Sequence, residues 1–207
     1  MEIEDTVAMF RQVAQSMIDN TDLLTKADQV IGDGDHGIGM RRGFEQVLKD
    51  LSDDKFSTLG DLLKKIGYGL MNAAGGASGV IFGSLFIGAA KALGEQNHLD
   101  ANNLTILLQR GLESVKKRGK AQPGDKTMVD ALEPAAKAAA NQSSLTECIT
   151  AAAEAARVGM EETKNMVASF GRAKSLGDRA LGSPDPGSIS IFLILNSMKN
   201  YILTSIK

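Results

Sequence analysis

The chain has 207 residues, 43% of them hydrophobic and 4% aromatic, with no tryptophan, one cysteine and a formal net charge of −2. That apolar content can bury one sizeable core and no linker-like tract divides it, so a single domain over residues 1 to 207 is expected. The near-neutral charge, without a long basic run, speaks against a nucleic-acid partner, and the lone Cys148 excludes a disulfide framework and fits a reducing cytoplasm.

The N-terminal MEIEDTVAMF is acidic and lacks the basic start and apolar run of an export signal. Scarce aromatics and abundant alanine and leucine favour packed helices over a sheet. Val7, Phe10, Met17 and Ile18 recur at helical spacing and predict a first amphipathic helix over residues 3 to 19. An acidic loop begins at Asn20 and Thr21, and a second helix carries Phe44, Val47, Leu48 and Leu51. Thr58, with Asp61 three residues on, opens a third helix through Leu59, Leu62, Leu63, Ile66 and Leu70, ended by Gly75 and Gly76.

Residues 66 to 90 carry no charge and could span a bilayer by length, but Asn72 and the GGASG at 75 to 79 interrupt them. Two buried helices joined at those glycines are expected, with no membrane partner, and Gly79 and Gly83 mark close helix packing. The fourth helix runs from near Ser78 to Leu93, and the fifth places Leu104, Leu107, Leu108, Leu112 and Val115 on one face before Lys116, Lys117 and Arg118. Pro123 and Gly124 break the chain ahead of a sixth helix from about Thr127. Ser144 with Glu147 forms a capping box for an alanine-rich seventh, and after GRAKSLGDRALGSPDPG an eighth runs from Ser188. The expected fold is all-α, eight antiparallel amphipathic helices.

Short connections send alternate loops to opposite ends of such a bundle. The four unusual loops, the acidic turn, GGASG, GKAQPGDKT and GRAKSLGDRALGSPDPG, fall at every second connection, whereas those at 52 to 57, 94 to 101 and 141 to 143 are merely polar. One composite site at one rim is therefore expected.

The acidic turn, DQVIGDGDHGIG at 28 to 39, puts Asp28, Asp33 and Asp35 within eight positions with no Lys or Arg between them. Glycines at 32, 34 and 37 let the backbone turn tightly, so the acids can converge on one hard cation. All-oxygen donors suit Mg²⁺, Mn²⁺ or Ca²⁺ rather than zinc. Counted from Asp33, Gly37 and Phe44 occupy the fifth and twelfth positions, where an EF-hand needs ligands, so magnesium with phosphate leads. Gly32, Gly34 and Gly37 also spell G-x-G-x-x-G, but only Val30 and Ile31 precede them in place of a strand, and two Asp inside the turn would repel a pyrophosphate. GKAQPGDKT is not a Walker motif either, because Asp125 stands between Gly124 and Lys126.

At the start of the fourth helix, Ala77, Ser78 and Gly79 offer a positive helix end to phosphate, or simply small residues for packing. Arg172, Lys174 and Arg179 offer mobile positive charge, with surface solvation as the alternative. The rigid Ser183-Pro184-Asp185-Pro186-Gly187 suits a helix start or a nucleotide wall. His36 could donate to a phosphate or orient a carboxylate, and His98 reads as solvated.

GDGDHG at 32 to 37, MRRGF at 40 to 44, GGASG at 75 to 79, RGKAQPGDKTM at 118 to 128, GRA at 171 to 173, LGDR at 176 to 179 and DPG at 185 to 187 occur in one order along the whole chain. In these blocks the sequence resembles the nucleotide-binding L subunits of bacterial dihydroxyacetone kinases. The resemblance implies a closed eight-helix barrel whose rim holds ADP or ATP through two Mg²⁺ ions on Asp28, Asp33 and Asp35. It carries the nucleotide contacts to His36, Gly37, Ile38, Gly39, Ala77, Ser78, Gly119, Met128, Arg172, Asp185, Pro186 and Gly187. It further implies a separate K-type subunit that holds the sugar and, in phosphotransferase-system versions, an M-type subunit that rephosphorylates bound ADP.

One position departs from the family pattern: Gly39 stands where such subunits usually have Asn. That leaves open whether ADP is permanent or ATP exchanges, and whether the ketose is dihydroxyacetone or erythrulose. The oligomeric state, a homodimer included, is also open, as are a regulatory nucleotide-binding module and an autonomous small-molecule kinase.

Overall fold

The structure, a computed structural model, describes residues 1–53 and 55–205. Asp54, in the expected polar loop at 52 to 57, lies outside the described residues. Among the described residues the regular elements are α-helices and short 3-10 turns, joined by one isolated bridge between Glu2 and His98.

All eight expected helices form, as α1 (Ile3–Asp19), α3 (His36–Asp53), α4 (Leu59–Ala73), α5 (Gly76–Leu93), α6 (Ala101–Gly119), α7 (Val129–Ala139), α8 (Leu145–Glu162) and α9 (Pro186–Ser205). The caps read from the sequence are in place. Thr58 accepts the Asp61 amide at 3.1 Å, and Ser144 and Glu147 make the reciprocal capping box. One expectation is corrected. The segment after Asn20 is not loop but a further helix, α2 (Thr21–Ile31), and Asp28 projects from its last turns rather than from an open loop. Leu24 and Ile31, seven residues apart, are its buried face, and its N-terminus follows α1 with only Asn20 between.

Neighbours in sequence are neighbours in space. Each helix of the series α3 to α9 packs on the next, α1 packs on both α3 and α9, and the ring closes, with α2 laid against α3 at the rim. The interior is filled: Phe10 of α1 and Phe86 of α5 meet edge to face with centroids 6.0 Å apart, surrounded by Phe44, Leu62, Leu132 and Ile149. Glycines set the closest approaches in the wall. A Cβ on Gly83 would lie 2.6 Å from the Gly67 carbonyl oxygen, so α5 sits directly on α4. α5 is long and apolar enough to cross a membrane, yet here it is a wall helix between α4 and α6 with 50% of that stretch buried.

A second close approach involves Pro134 inside α7. Lacking an N–H, Pro134 leaves the Asp130 carbonyl without its helical donor. Gly159 of α8 meets that carbonyl, and a Cβ there would lie 2.1 Å from its oxygen.

The end of the barrel away from the unusual loops is tied by backbone pairs. The Gly60 amide donates to the Gly94 carbonyl at 3.0 Å, and Met1 and Leu99 exchange bonds of 2.9 and 2.8 Å. His98 belongs to this end, half-exposed beside Asp100 at 3.2 Å.

Candidate functional site

The four unusual loops do share one end. They surround a cavity of about 490 Å³ whose walls include Asp28, Asp33, Asp35 and His36 from the acidic turn, Gly75 to Ser78 from the start of α5, Lys126 to Met128 before α7, and Phe170 to Ala173 with Asp185 to Gly187 before α9. A short helix between the first two expected elements does not alter the alternation, because α2 stays at the rim.

The glycines of the acidic turn play different parts. Gly34 is the one with a left-handed backbone, at φ 78°. Gly32, at φ −145°, needs no positive φ and is required for space: a Cβ there would lie 2.2 Å from Oδ1 of Asp28. Gly37 lets α3 settle on α2, since its Cβ would lie 2.2 Å from Oγ1 of Thr25 and 2.4 Å from the Thr21 carbonyl oxygen.

With that backbone, Asp28, Asp33 and Asp35 each present a carboxylate oxygen within 4.8 Å of the other two. The His36 amide donates to Oδ2 of Asp28 at 3.2 Å, fixing its orientation. Arg172 reaches across from its loop to Oδ2 of Asp33 at 2.9 Å. One guanidinium does not balance three acids. The Asp35 carboxyl is pushed above its ordinary value by partial burial and by the negative charge of Asp33 and Asp28, an excess that a divalent cation would relieve. The donors are all hard oxygens, so the set fits Mg²⁺.

His36 is buried, and burial lowers its pKa to about 4 against the opposing pull of Asp28, so the ring is neutral at pH 7. Its Nε2 lies 2.8 Å from Oγ of Ser190, whose proton goes to the Pro186 carbonyl at 3.1 Å. With that hydroxyl donating to Pro186, the compatible tautomer has the proton on Nε2 and Nδ1 accepting from Oγ of Ser78 at 3.2 Å. The imidazole is thus a spacer linking α3, α5 and α9, and it is the backbone of His36 that orients a carboxylate.

The first turn of α5 has Gly75 at its cap, at φ 75° and without a side-chain cap, so the uncapped positive end of the helix lines the cavity. The start of α9 is capped instead. Asp185 accepts the Ser188 amide at 2.7 Å with Oδ2, followed by Pro186 at the first helical position. Burial beside Asp130 and Asp28 raises the Asp185 carboxyl to about 7, with the Ser188 amide and Lys126 opposing. Gly187 keeps that turn close to Met128, whose Cβ would be 3.3 Å from a Cβ at 187.

Of the residues expected to bind nucleotide, His36, Gly39, Ala77, Ser78, Met128, Arg172, Asp185, Pro186 and Gly187 line the cavity. Gly37 is packed on α2, Ile38 is 43% exposed on the outer side of the same turn, and Gly119 ends α6 beside Ile81. Gly39 sits close to α4: a Cβ there would lie 3.0 Å from the Ala74 carbonyl oxygen, a tight contact where α3 passes the end of α4. Lys174 and Arg179 are exposed and do not reach the cavity.

Four residues escaped the sequence reading. Arg42 lines the cavity and donates to the Ala74 carbonyl at 2.9 Å, and Phe170 adds an exposed apolar face. Asp130 holds the loop before α7, taking the Gly124 and Thr127 amides at 2.6 and 2.8 Å. Lys126 is 2% exposed, and its ammonium donates to the carbonyls of Thr163 and Ser183. The Asp130 spacing, three residues after Thr127, is a turn signature that could have been read; nothing local marks the buried lysine.

Known proteins resemble the chain over most of its length. The ADP-binding subunit DhaL of a PEP-dependent dihydroxyacetone kinase from Listeria innocua is 39% identical over 180 residues, 87% of each chain. The L-erythrulose kinase of Pectobacterium atrosepticum is 35% identical over 185 residues, 86% of this chain and 31% of that enzyme. The crystal structure of the dihydroxyacetone kinase of C. freundii in complex with AMP-PNP and Mg²⁺ superposes with a TM-score of 0.76 at 27% identity. That match covers 94% of this chain and 33% of the other, so the chain spans about a third of that enzyme. The family model for the DAK2 domain matches residues 30–200, and the chain belongs to the DAK2 domain family.

Proposed function

We propose that the chain is the nucleotide-binding phosphotransfer subunit of a ketose kinase, folded as one domain over residues 1 to 207, with dihydroxyacetone as the first candidate substrate. The observation that carries the reading is the convergence of Asp28, Asp33 and Asp35 at the mouth of a cavity shared by four loops. Two Mg²⁺ ions would be held there, and when bound they supply neutralisation of the charge that builds up on a transferred phosphoryl group. ADP or ATP would lie with its phosphates toward the uncapped start of α5 and Arg172, and with its base against Ile81, Met128 and Phe170.

The chain's own contribution is positioning. The His36 amide holds Asp28, Arg172 holds Asp33, and the neutral imidazole keeps Ser78 at its station between helices. No side chain in the cavity is arranged as a nucleophile, and none is needed when a phosphoryl group passes directly to a sugar hydroxyl. That hydroxyl would be presented by a K-type subunit, and an M-type subunit would recharge bound ADP in a reducing cytoplasm. The likeness to an L-erythrulose kinase favours one second reading, in which ATP exchanges freely and the ketose is a tetrulose.

Asp33→Ala tests the proposal. Calorimetry with ADP and Mg²⁺ should show binding to the wild type and none to the variant, with helical circular dichroism unchanged. Undiminished affinity in Asp33→Ala would remove the metal site from the mechanism. Phosphorylation of dihydroxyacetone or erythrulose only when a K-type subunit is added separates a kinase subunit from a nucleotide sensor and from an autonomous kinase.

A further inference from the structure

The loop between α8 and α9 is the most exposed part of the site, yet it carries Arg172 and Phe170 to the cavity. Three of its glycines, Gly171, Gly177 and Gly182, have positive φ and open space around them, so they restrain it little. Its neck is different. The Gly182 amide donates to the Lys164 carbonyl at 2.8 Å, and the Asp185 amide donates to Oγ1 of Thr163 at 2.9 Å.

Into that neck comes a side chain from another loop. Lys126 puts its ammonium on the Thr163 carbonyl on one side and on the Ser183 carbonyl, at 2.7 Å, on the other. Its own backbone is left-handed, at φ 58°, a conformation costly for a lysine and held here by the Asp130 carboxylate on the amides of Gly124 and Thr127. A buried ammonium is also costly unless its donors are used. Two unfavourable terms at one residue mean that the surrounding structure over-determines it, and what it fixes is the base of the Arg172 loop.

We propose that Lys126 is the positioning residue for nucleotide binding: its ammonium is taken up by two carbonyls, and by clamping Thr163 to Ser183 it sets the reach of the loop that carries Arg172 and Phe170. This rests on the ketose-kinase reading for the identity of the ligand. The metal ligands belong to α2 and the turn before α3, which Lys126 does not touch; the clamped loop reaches them through Arg172 on Asp33, a cation whose release removes no metal ligand.

The test compares wild type, Lys126→Met and Lys126→Gln, in which the glutamine amide keeps neutral N–H donors and methionine keeps none. Three readouts are taken: Mg-ADP affinity by calorimetry, Mn²⁺ alone by paramagnetic resonance, and tryptic cleavage after Arg172, Lys174 and Arg179. Loss of both charge-assisted contacts predicts Mg-ADP binding about ten- to hundredfold weaker in Lys126→Met and less so in Lys126→Gln. Cleavage in the loop should rise about tenfold in Lys126→Met. Mn²⁺ affinity should stay within about threefold, a separation that general destabilisation cannot produce.

Equal loss of Mn²⁺ and Mg-ADP binding, loss of helical signal in both variants, or cleavage and nucleotide affinity both unchanged would overturn the proposal. Failure of the wild type to bind Mg-ADP would instead sink the ketose-kinase reading, while the cleavage arm would still report on the clamp.

Discussion

Gly32→Ala separates the geometry of the metal site from the stability of the barrel. At φ −145° the backbone at 32 is outside the left-handed region, so alanine needs no positive φ there, and replacing glycine restricts the unfolded chain by about 0.4 to 1 kcal/mol in favour of folding. The new Cβ would sit 2.2 Å from Oδ1 of Asp28 and 3.0 Å from the Asp28 carbonyl oxygen, so the carboxylate must retreat by about 1 Å and the backbone give slightly to reach ordinary contact. That retreat endangers the 3.2 Å bond from the His36 amide, worth about 1 kcal/mol, which roughly cancels the entropic gain. Net stability should therefore move by less than about 1 kcal/mol, and the melting temperature by less than about 4 °C. Metal coordination is far less forgiving, with ligand distances defined to about 0.2 Å, so a displaced Asp28 should weaken Mg-ADP binding about ten- to hundredfold. Calorimetry with ADP and Mg²⁺, beside thermal unfolding of the same sample, reads both quantities. A variant that melts like wild type and binds Mg-ADP equally well would refute the assignment of Asp28 as a ligand held in place by the missing Cβ.

Gly159→Ala should do the opposite, harming stability through the α7–α8 contact, because its Cβ would meet the Asp130 carbonyl at 2.1 Å and a backbone atom cannot rotate away. About 1 to 3 kcal/mol of overpacking, or roughly 2 to 10 °C in melting temperature, is expected by thermal unfolding. Glu133 bridges Lys116 at 2.6 Å and Lys137 at 2.7 Å, and those bonds hold its carboxyl below its ordinary 4.5. A depressed acid stabilises the fold above its unfolded pKa and loses that contribution as pH falls. Urea unfolding of Glu133→Gln should therefore show a deficit of about 1 to 2 kcal/mol at pH 7 that shrinks below pH 4.5. A deficit that is constant with pH would mean that Glu133 acts by packing alone.

Much of the barrel is legible in the chain because its signals are local. Leu62, Ile66 and Leu70 recur within one helix, Thr58 and Ser144 cap amides three residues away, and short polar turns force alternation. The acidic turn is local too, which is why Asp28, Asp33 and Asp35 could be grouped before their oxygens were seen together. The helix over Thr21–Ile31 is not legible locally, because Asn20, Thr21 and the glycines after it read as loop, while its stripe of Leu24 and Ile31 is sparse.

What local pattern cannot carry is the meeting of segments distant in sequence. Lys126 is one of many lysines until its ammonium finds carbonyls 37 and 57 residues away, and Arg172 is a surface charge until it reaches Asp33. Gly37 and Gly159 look alike in the chain, yet each is required by a different neighbour: Thr25 and Asp130. Periodicity and capping thus determined which segments are helices and which end of the bundle is chemical. Ring closure alone decided which charges pair, which lysine is buried and where no side chain fits, since those energies depend on distances between elements that no single stretch of sequence specifies.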